Sequence, residues 1–230
     1  MTRFLRHGAL AGAAGGAGTA LFLLLVGERS IGDAIAIEEA SGHGPDGPFS
    51  RSVQQLGGVL GAVIVGAALG TVLAVVFAAV RHRLEGRDDF GRVVRLAGVA
   101  YITLFLVPFL KYPANPPAVG DPDTVGRRTA LYLVVLAWSV AATWLGWRLR
   151  GHLCRRGWSP SQAAAVAVAA WALVVGVALV VLPGSPDPVT APATLVWRFR
   201  LASAGGQAVF WAVAGAALGW LSCRRPVASG

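Results

Sequence analysis

Residues 56–80 read LGGVLGAVIVGAALGTVLAVVFAAV, with no Asp, Glu, Lys, Arg or His among them. A helix that crosses a bilayer needs about 20 apolar residues, and this run supplies them. The strands of a transmembrane barrel would alternate polar with apolar residues, and this run does not, so it reads as one helical span. Outward from it, the runs 8–26, 96–110, 129–147, 163–182 and 201–222 also lack acids and basic residues. The third is short, but Arg95 and Lys111 at its ends can snorkel to the headgroups and extend it to about 95–111. An all-α membrane protein with six transmembrane helices is therefore expected, as a single polytopic domain over 1–230. Composition agrees. Only 13% of residues are charged, 55% are hydrophobic and the mean hydropathy is +0.62, where soluble domains carry about 25% charge.

The net charge of +9 is unevenly placed. If the runs all cross, one side receives the N-terminus, 81–95, 148–162 and the C-terminus. That side holds thirteen of the twenty basic residues and only Glu85, Asp88 and Asp89 of the eleven acids. The positive-inside rule makes it cytoplasmic, with both termini inside. Trp147, Trp158 and Trp220 then fall at inner boundaries and Tyr112, Tyr132 and Trp197 at outer ones, as an aromatic belt requires. The basic excess is a topology signal, and nucleic acid is not an expected partner. The first run follows Arg3 and Arg6 as a secretory leader would. It is longer than the usual signal core and no small-residue cleavage site directly follows, so a retained helix is expected. Cys154 and Cys223 both fall inside, where no disulfide is expected.

Each pair of spans is joined by a long outer loop, and each even span is entered through an arginine: Arg51, Arg128 and Arg200. The string GAALG recurs at 66–70 and 215–219. Three helical hairpins in one orientation would give this pattern, and internal repeats are common in transporters. Gly8, Gly12 and Gly16 recur at four-residue spacing, as do Gly57 with Gly61, Gly66 with Gly70 and Gly215 with Gly219. Small residues so spaced let membrane helices approach closely. Pro108 is expected to kink the third span near its outer end.

No Asp, Glu, Lys, Arg or His lies inside the runs, although proton relays and ion paths usually depend on such residues. A path through the membrane would use Thr19, Thr71, Tyr101, Thr103, Ser139, Thr143, Ser203, Gln207 and backbone carbonyls. No phosphate-binding GxxxxGK[ST] loop occurs, since Lys111 is the only lysine, and GxSxG, HExxH and CxxC are also missing. The polar chemistry lies outside. The first outer loop offers Glu28, Asp33, Glu38, Glu39, His43 and Asp46. Carboxylates with one imidazole suit a borderline divalent cation such as cobalt, nickel or zinc, and Glu38, Glu39, His43 and Asp46 form the candidate metal set. A solvated acidic loop is the plainer alternative. The second loop, KYPANPPAVGDPDTVGRR (111–128), holds four prolines, which exclude regular structure, and a short Asp-x-Asp at Asp121 and Asp123. Its Lys111 and Arg128 are candidates to pair with acids of the first loop. The third loop ends in Trp197, Arg198 and Arg200, either an interface anchor or an ion pair closing an outer vestibule.

The strings GDAIAIEEA (32–40), SRSVQQ (50–55), LVPFLKYPANPPAVGDPDT (106–124), RTALYL (128–133) and WRFRLAS (197–203) resemble the CbtA family of cobalt transporter subunits. The likeness covers nearly the whole chain, and the proline-rich string is the most specific part. It implies a bacterial inner-membrane protein, often described with five spans where six are counted here. It also implies cobalt uptake for cobalamin synthesis and a small partner, CbtB, with a single span and a histidine motif. No cofactor is expected for this chain, and cobalt(II) is the expected transported ion. Positions that match the family are Glu28, Asp33, Glu38, Glu39, Lys111, Asn115, Thr124, Arg128, Arg198 and Arg200. The reading is a non-enzymatic divalent-cation permease component. Two alternatives stand beside it. One is an enzyme acting on a lipid phosphate, with Lys111, Arg127 and Arg128 on the phosphate and Asp121 or Asp123 on a metal. The other is a non-catalytic assembly subunit.

Overall fold

The computed structural model describes residues 2–40, 50–116, 119–189 and 191–223, apart from the side chains of 29, 30 and 37–40. The helices, in chain order, are α1 (Thr2–Phe22), α2 (Glu28–Ala40), α3 (Arg51–Val80), α4 (Asp89–Ala100), α5 (Val107–Lys111), α6 (Val125–Arg155), α7 (Pro160–Val181) and α8 (Ala193–Cys223). Among the described residues there is no strand, and six helical stretches are long and apolar enough to span a membrane: Thr2–Gly27, Arg51–Arg83, Asp89–Lys111, Pro122–Arg155, Pro160–Val181 and Ala193–Cys223. They outrun the charge-free segments because arginines lie inside their end turns. Arg51 opens α3, Arg127 and Arg128 sit in the first turn of α6, and Arg198 and Arg200 lie within α8. The start of the first outer loop is also helical, since α2 runs on from the first span through a π-helical turn, Leu23–Gly27, and buries Ala34.

Local chemistry sets the remaining boundaries. Ser159 caps α7 reciprocally with Gln162, and Pro160 stands at the first helical position, where its missing amide costs nothing. Asp88 caps α4 through the Gly91 amide at 2.8 Å. Leu182 leaves α7 in extended conformation, as a residue before proline prefers. The third span consists of α4, a π-helical turn Tyr101–Leu106, and α5. Pro108 has no amide to donate, so a carbonyl in the turn before it needs another partner. That widened turn is where the expected irregularity appears.

The helices cluster into two compact units. One holds the first, second and sixth spans, the third as far as Tyr101, and Asn115; the other holds Ile102–Ala114 and residues 119–189. Of the three expected hairpins, only the first lies wholly within one unit.

In the first unit α1 packs along α3 and α8, and α4 along α8. Glycines bring the α1 and α3 backbones close together. A methyl group on Gly8 would lie 2.6 Å from the Gly70 carbonyl oxygen, and on Gly66 it would lie 3.0 Å from the Gly16 Cα. A methyl group on Gly12 would lie closer still to the Gly66 carbonyl. The same device serves α8, where a methyl on Gly215 would meet the Ala97 Cβ at 2.7 Å and one on Gly219 would meet Phe90. Gly57 and Gly61 differ, because a side chain there would meet nothing within 4 Å. Phe77, Val93, Ala74, Ala214 and Leu218 fill the interior, and the Thr19 hydroxyl donates to the Gly206 carbonyl at 3.0 Å.

The second unit packs α6 against α7 and α5 against both. Its interior is polar at one level. The Ser139 hydroxyl, fully buried, donates to the Thr103 carbonyl at 2.8 Å, one turn and a half before Pro108. The Thr103 and Thr143 hydroxyls bond at 2.9 Å, and the Trp171 indole donates to Thr143 at 3.2 Å. An unmade backbone bond in the membrane interior costs several kcal/mol, so side chains take up what the π-turn releases. Val107, Ala142 and Val175 form the apolar layer beside this cluster.

Candidate functional site

Polar residues near the span ends make contacts within each unit. In the first, α2 places Glu28 beside the start of α3. Glu28 Oε1 accepts from Arg51 Nη2 at 2.6 Å, Arg51 Nε at 3.1 Å and Gln55 Nε2 at 2.8 Å. The Arg51 hydrogen bond, aided by Gln55, holds this carboxyl below the usual range, although partial burial works against it. Asp33 faces Arg198 at 4.0 Å with both largely exposed, a geometry that contributes little. Arg200 donates to the Asn115 side-chain carbonyl at 3.0 Å, which ties the middle of the proline-rich loop to α8.

The second unit's contacts are built by the two ends of that loop. Lys111, at the end of α5, donates to the Leu179 carbonyl at 2.8 Å. This carbonyl belongs to the last turn of α7, where a cation is favoured by the helix dipole and by free acceptors. The neighbouring Tyr112 hydroxyl donates to the Pro183 carbonyl at 2.7 Å, and burial raises its pKa. Further on, Asp121 Oδ1 accepts from the Asp123 amide at 2.9 Å and so caps the short 3-10 turn Pro122–Thr124. Asp121 and Asp123 are both exposed.

Arg128 faces Asp187 of the third loop, with Nε 3.3 Å from Oδ2. The sequence points Arg128 towards a first-loop acid, and Asp187 is not among its candidates. A single acid in a Pro/Ser-rich turn gives no signal by spacing, yet among the described residues it is the one buried carboxylate, 8% exposed. The Thr124 hydroxyl lies 2.8 Å from Asp187 Oδ2 and 2.8 Å from the Asp121 carbonyl. Gly120 lets the chain pass this close. Its φ is +116°, and a methyl group there would lie 2.9 Å from Arg128 Cζ and 3.0 Å from Asp187 Oδ2.

The candidate metal set is placed only in part. Glu38 and Glu39 fall in the last turn of α2, but their side chains, with His43 and Asp46, lie outside the described residues. Among those that are described, no three His, Cys, Asp or Glu side chains come together as metal ligands. Neither cysteine is in a disulfide.

No curated protein and no solved structure matches the chain. One family model does, over residues 1–222, and its description is probable cobalt transporter subunit. That match takes in every span, the proline-rich loop and both sets of polar contacts. The chain belongs to the CbtA family of probable cobalt transporter subunits.

Proposed function

We propose that this chain is the membrane-embedded component of a bacterial inner-membrane system for cobalt(II) uptake, feeding cobalamin synthesis. The observation that carries this reading is the family match over 1–222, together with six helices able to span a membrane. Both termini are cytoplasmic in this reading, because that side carries the arginine excess. The first outer loop gathers the ion with Glu38, Glu39, His43 and Asp46, an oxygen-rich set with one imidazole that suits a borderline divalent cation. Imidazole ligates only when neutral, so capture weakens on acidification. The chain acts as a carrier rather than an enzyme, alongside a single-span CbtB-like partner. A lipid-phosphate site gains nothing from the structure. Lys111, one of the three cations that site would need, is engaged by the Leu179 carbonyl.

Cellular metal content tests this reading. Cells that express the chain and its partner at limiting metal should accumulate cobalt above cells that lack them, ahead of nickel, zinc and manganese. Equal cobalt in both, or a larger rise in another metal, would remove the assignment. Impermeant labelling of single cysteines at Ser41, Gly120 and Ser185 tests the orientation, and protection at all three would reverse it.

A further inference from the structure

The contact between Arg128 and Asp187 is an unusual ion pair. Charge-assisted hydrogen bonds are short, about 2.7–2.9 Å. Here Arg128 Nε lies 3.3 Å from Asp187 Oδ2, and this nitrogen is buried without a hydrogen-bond partner. The other contact of the guanidinium, Nη2 to the Asp121 carbonyl, is longer still at 3.4 Å. The Thr124 hydroxyl is 2.8 Å from both of these oxygens. It has a single hydrogen and can satisfy one of them. The Asp121 carbonyl also takes the Thr124 amide at 3.1 Å. The unpartnered atom is thus the arginine's, and the buried carboxylate meets its counter-charge without an aligned hydrogen bond. The guanidinium beside it is one-third exposed.

We propose that Asp187, with the Thr124 hydroxyl and the Asp121 carbonyl, is a binding site for a partly hydrated divalent cation that takes the place of Arg128. One carboxylate with neutral oxygens and retained waters is how small hard divalent ions are commonly held. Such a site binds weakly enough to release, as a transit site must. Arg128 is the release device: when it returns, its charge compensates Asp187 and expels the ion. Gly120 holds the two loops close enough for the exchange. The proposal deepens the cobalt-carrier reading and rests on it, but its test is binding to the purified chain, which can fail while uptake persists.

The experiment uses the full-length chain in detergent micelles, titrated with cobalt(II) and followed by calorimetry. Magnesium(II) and manganese(II) serve as competitors. To silence the first loop, the background carries Glu38→Gln, Glu39→Gln, His43→Ala and Asp46→Asn. One cobalt equivalent should remain there. Asp187→Asn should weaken it by at least the roughly tenfold that even an outer-shell partner costs. Arg128→Gln should tighten it several-fold and slow transport. Arg128→Gln combined with Asp187→Asn leaves no buried charge, so it should fold normally and not bind. Unchanged binding in that double variant, or binding that weakens or stays level in Arg128→Gln, would overturn the site. A background variant that binds no cobalt, manganese or magnesium would do the same.

Discussion

The two units hold their helices together by different means. In the first, glycines bring the backbones of α1 and α3 into contact, with the Ala74 methyl and the Phe4–Phe77 ring pair beside them. In the second, a half-buried layer of Thr103, Ser139, Thr143 and Trp171 joins α6 and α7 to an irregular turn. The contrast extends to their charged ends. Glu28 is met by three well-aligned donors while about a third exposed. Asp187 is buried and faces an arginine that is poorly aligned with it. A carboxylate satisfied by its neighbours is a staple between helices. A buried carboxylate whose counter-charge is poorly aligned is a place where another cation can stand.

The largest expected effect breaks the glycine seam. Gly12→Leu should cost more than the roughly 1–3 kcal/mol usual for overpacking, because the side chain meets the Gly66 and Gly70 backbone, which cannot swing away. Gly61→Leu has open space around it and should stay within about 0.5 kcal/mol. Yields of folded protein in detergent would separate them, and equal losses would mean the seam does not hold α1 to α3.

The two ion pairs come next. Arg128→Gln leaves Asp187 buried without its counter-charge, at about 3 kcal/mol, the lower end for a broken buried pair because Arg128 is partly exposed. Arg51→Gln should cost no more than about 1 kcal/mol. Thermal melting compares them, and added cobalt should recover more stability in Arg128→Gln than in wild type. Similar melting losses in both variants would erase the distinction between staple and site.

Ser139→Ala removes the donor to the Thr103 carbonyl. Hydrogen bonds between membrane helices average about 0.6 kcal/mol, with about 1.7 at most, so a modest loss of stability is expected. Hydrogen exchange should localise it to residues 101–108, and a loss spread evenly over the second unit would argue against a local latch.

The smallest effect concerns pH. The Glu28 carboxyl is held below its ordinary value in the folded chain. Its contribution is therefore complete above the ordinary carboxylate range and fades as pH falls through the lowered value. Melting of wild type and Glu28→Gln should differ slightly at neutral pH and converge in acid. A difference that grew on acidification would have the wrong sign.

Much of this was legible in the sequence. Long charge-free runs place the six spans, because hydrocarbon tolerates few alternatives to a closed helix. The glycine spacing points to close packing, and it serves at Gly8, Gly12, Gly66 and Gly215. It fails at Gly61, because periodicity gives a face but not what lies opposite. Charge-free runs also shorten the helices, since Arg51, Arg128 and Arg200 are helical residues whose charges reach polar partners. Asp187 was hidden for a different reason. Its importance comes from burial against a loop 63 residues away in sequence, and no local pattern records that. Asp121 is the reverse case, an acid in a suggestive Asp-x-Asp whose side chain caps a turn.

The most direct test of the account is the initial rate of cobalt(II) entry at limiting cobalt and neutral pH. Cells would express the chain with its partner, either unaltered or carrying Glu38→Gln with Glu39→Gln. The account predicts uptake well above that of cells without the chain. It also predicts that most of the gain is lost in the double variant, which removes two anionic ligands. Entry at the same rate with and without the chain would contradict cobalt transport itself, and undiminished entry in the double variant would remove the first outer loop as the place where the ion is gathered.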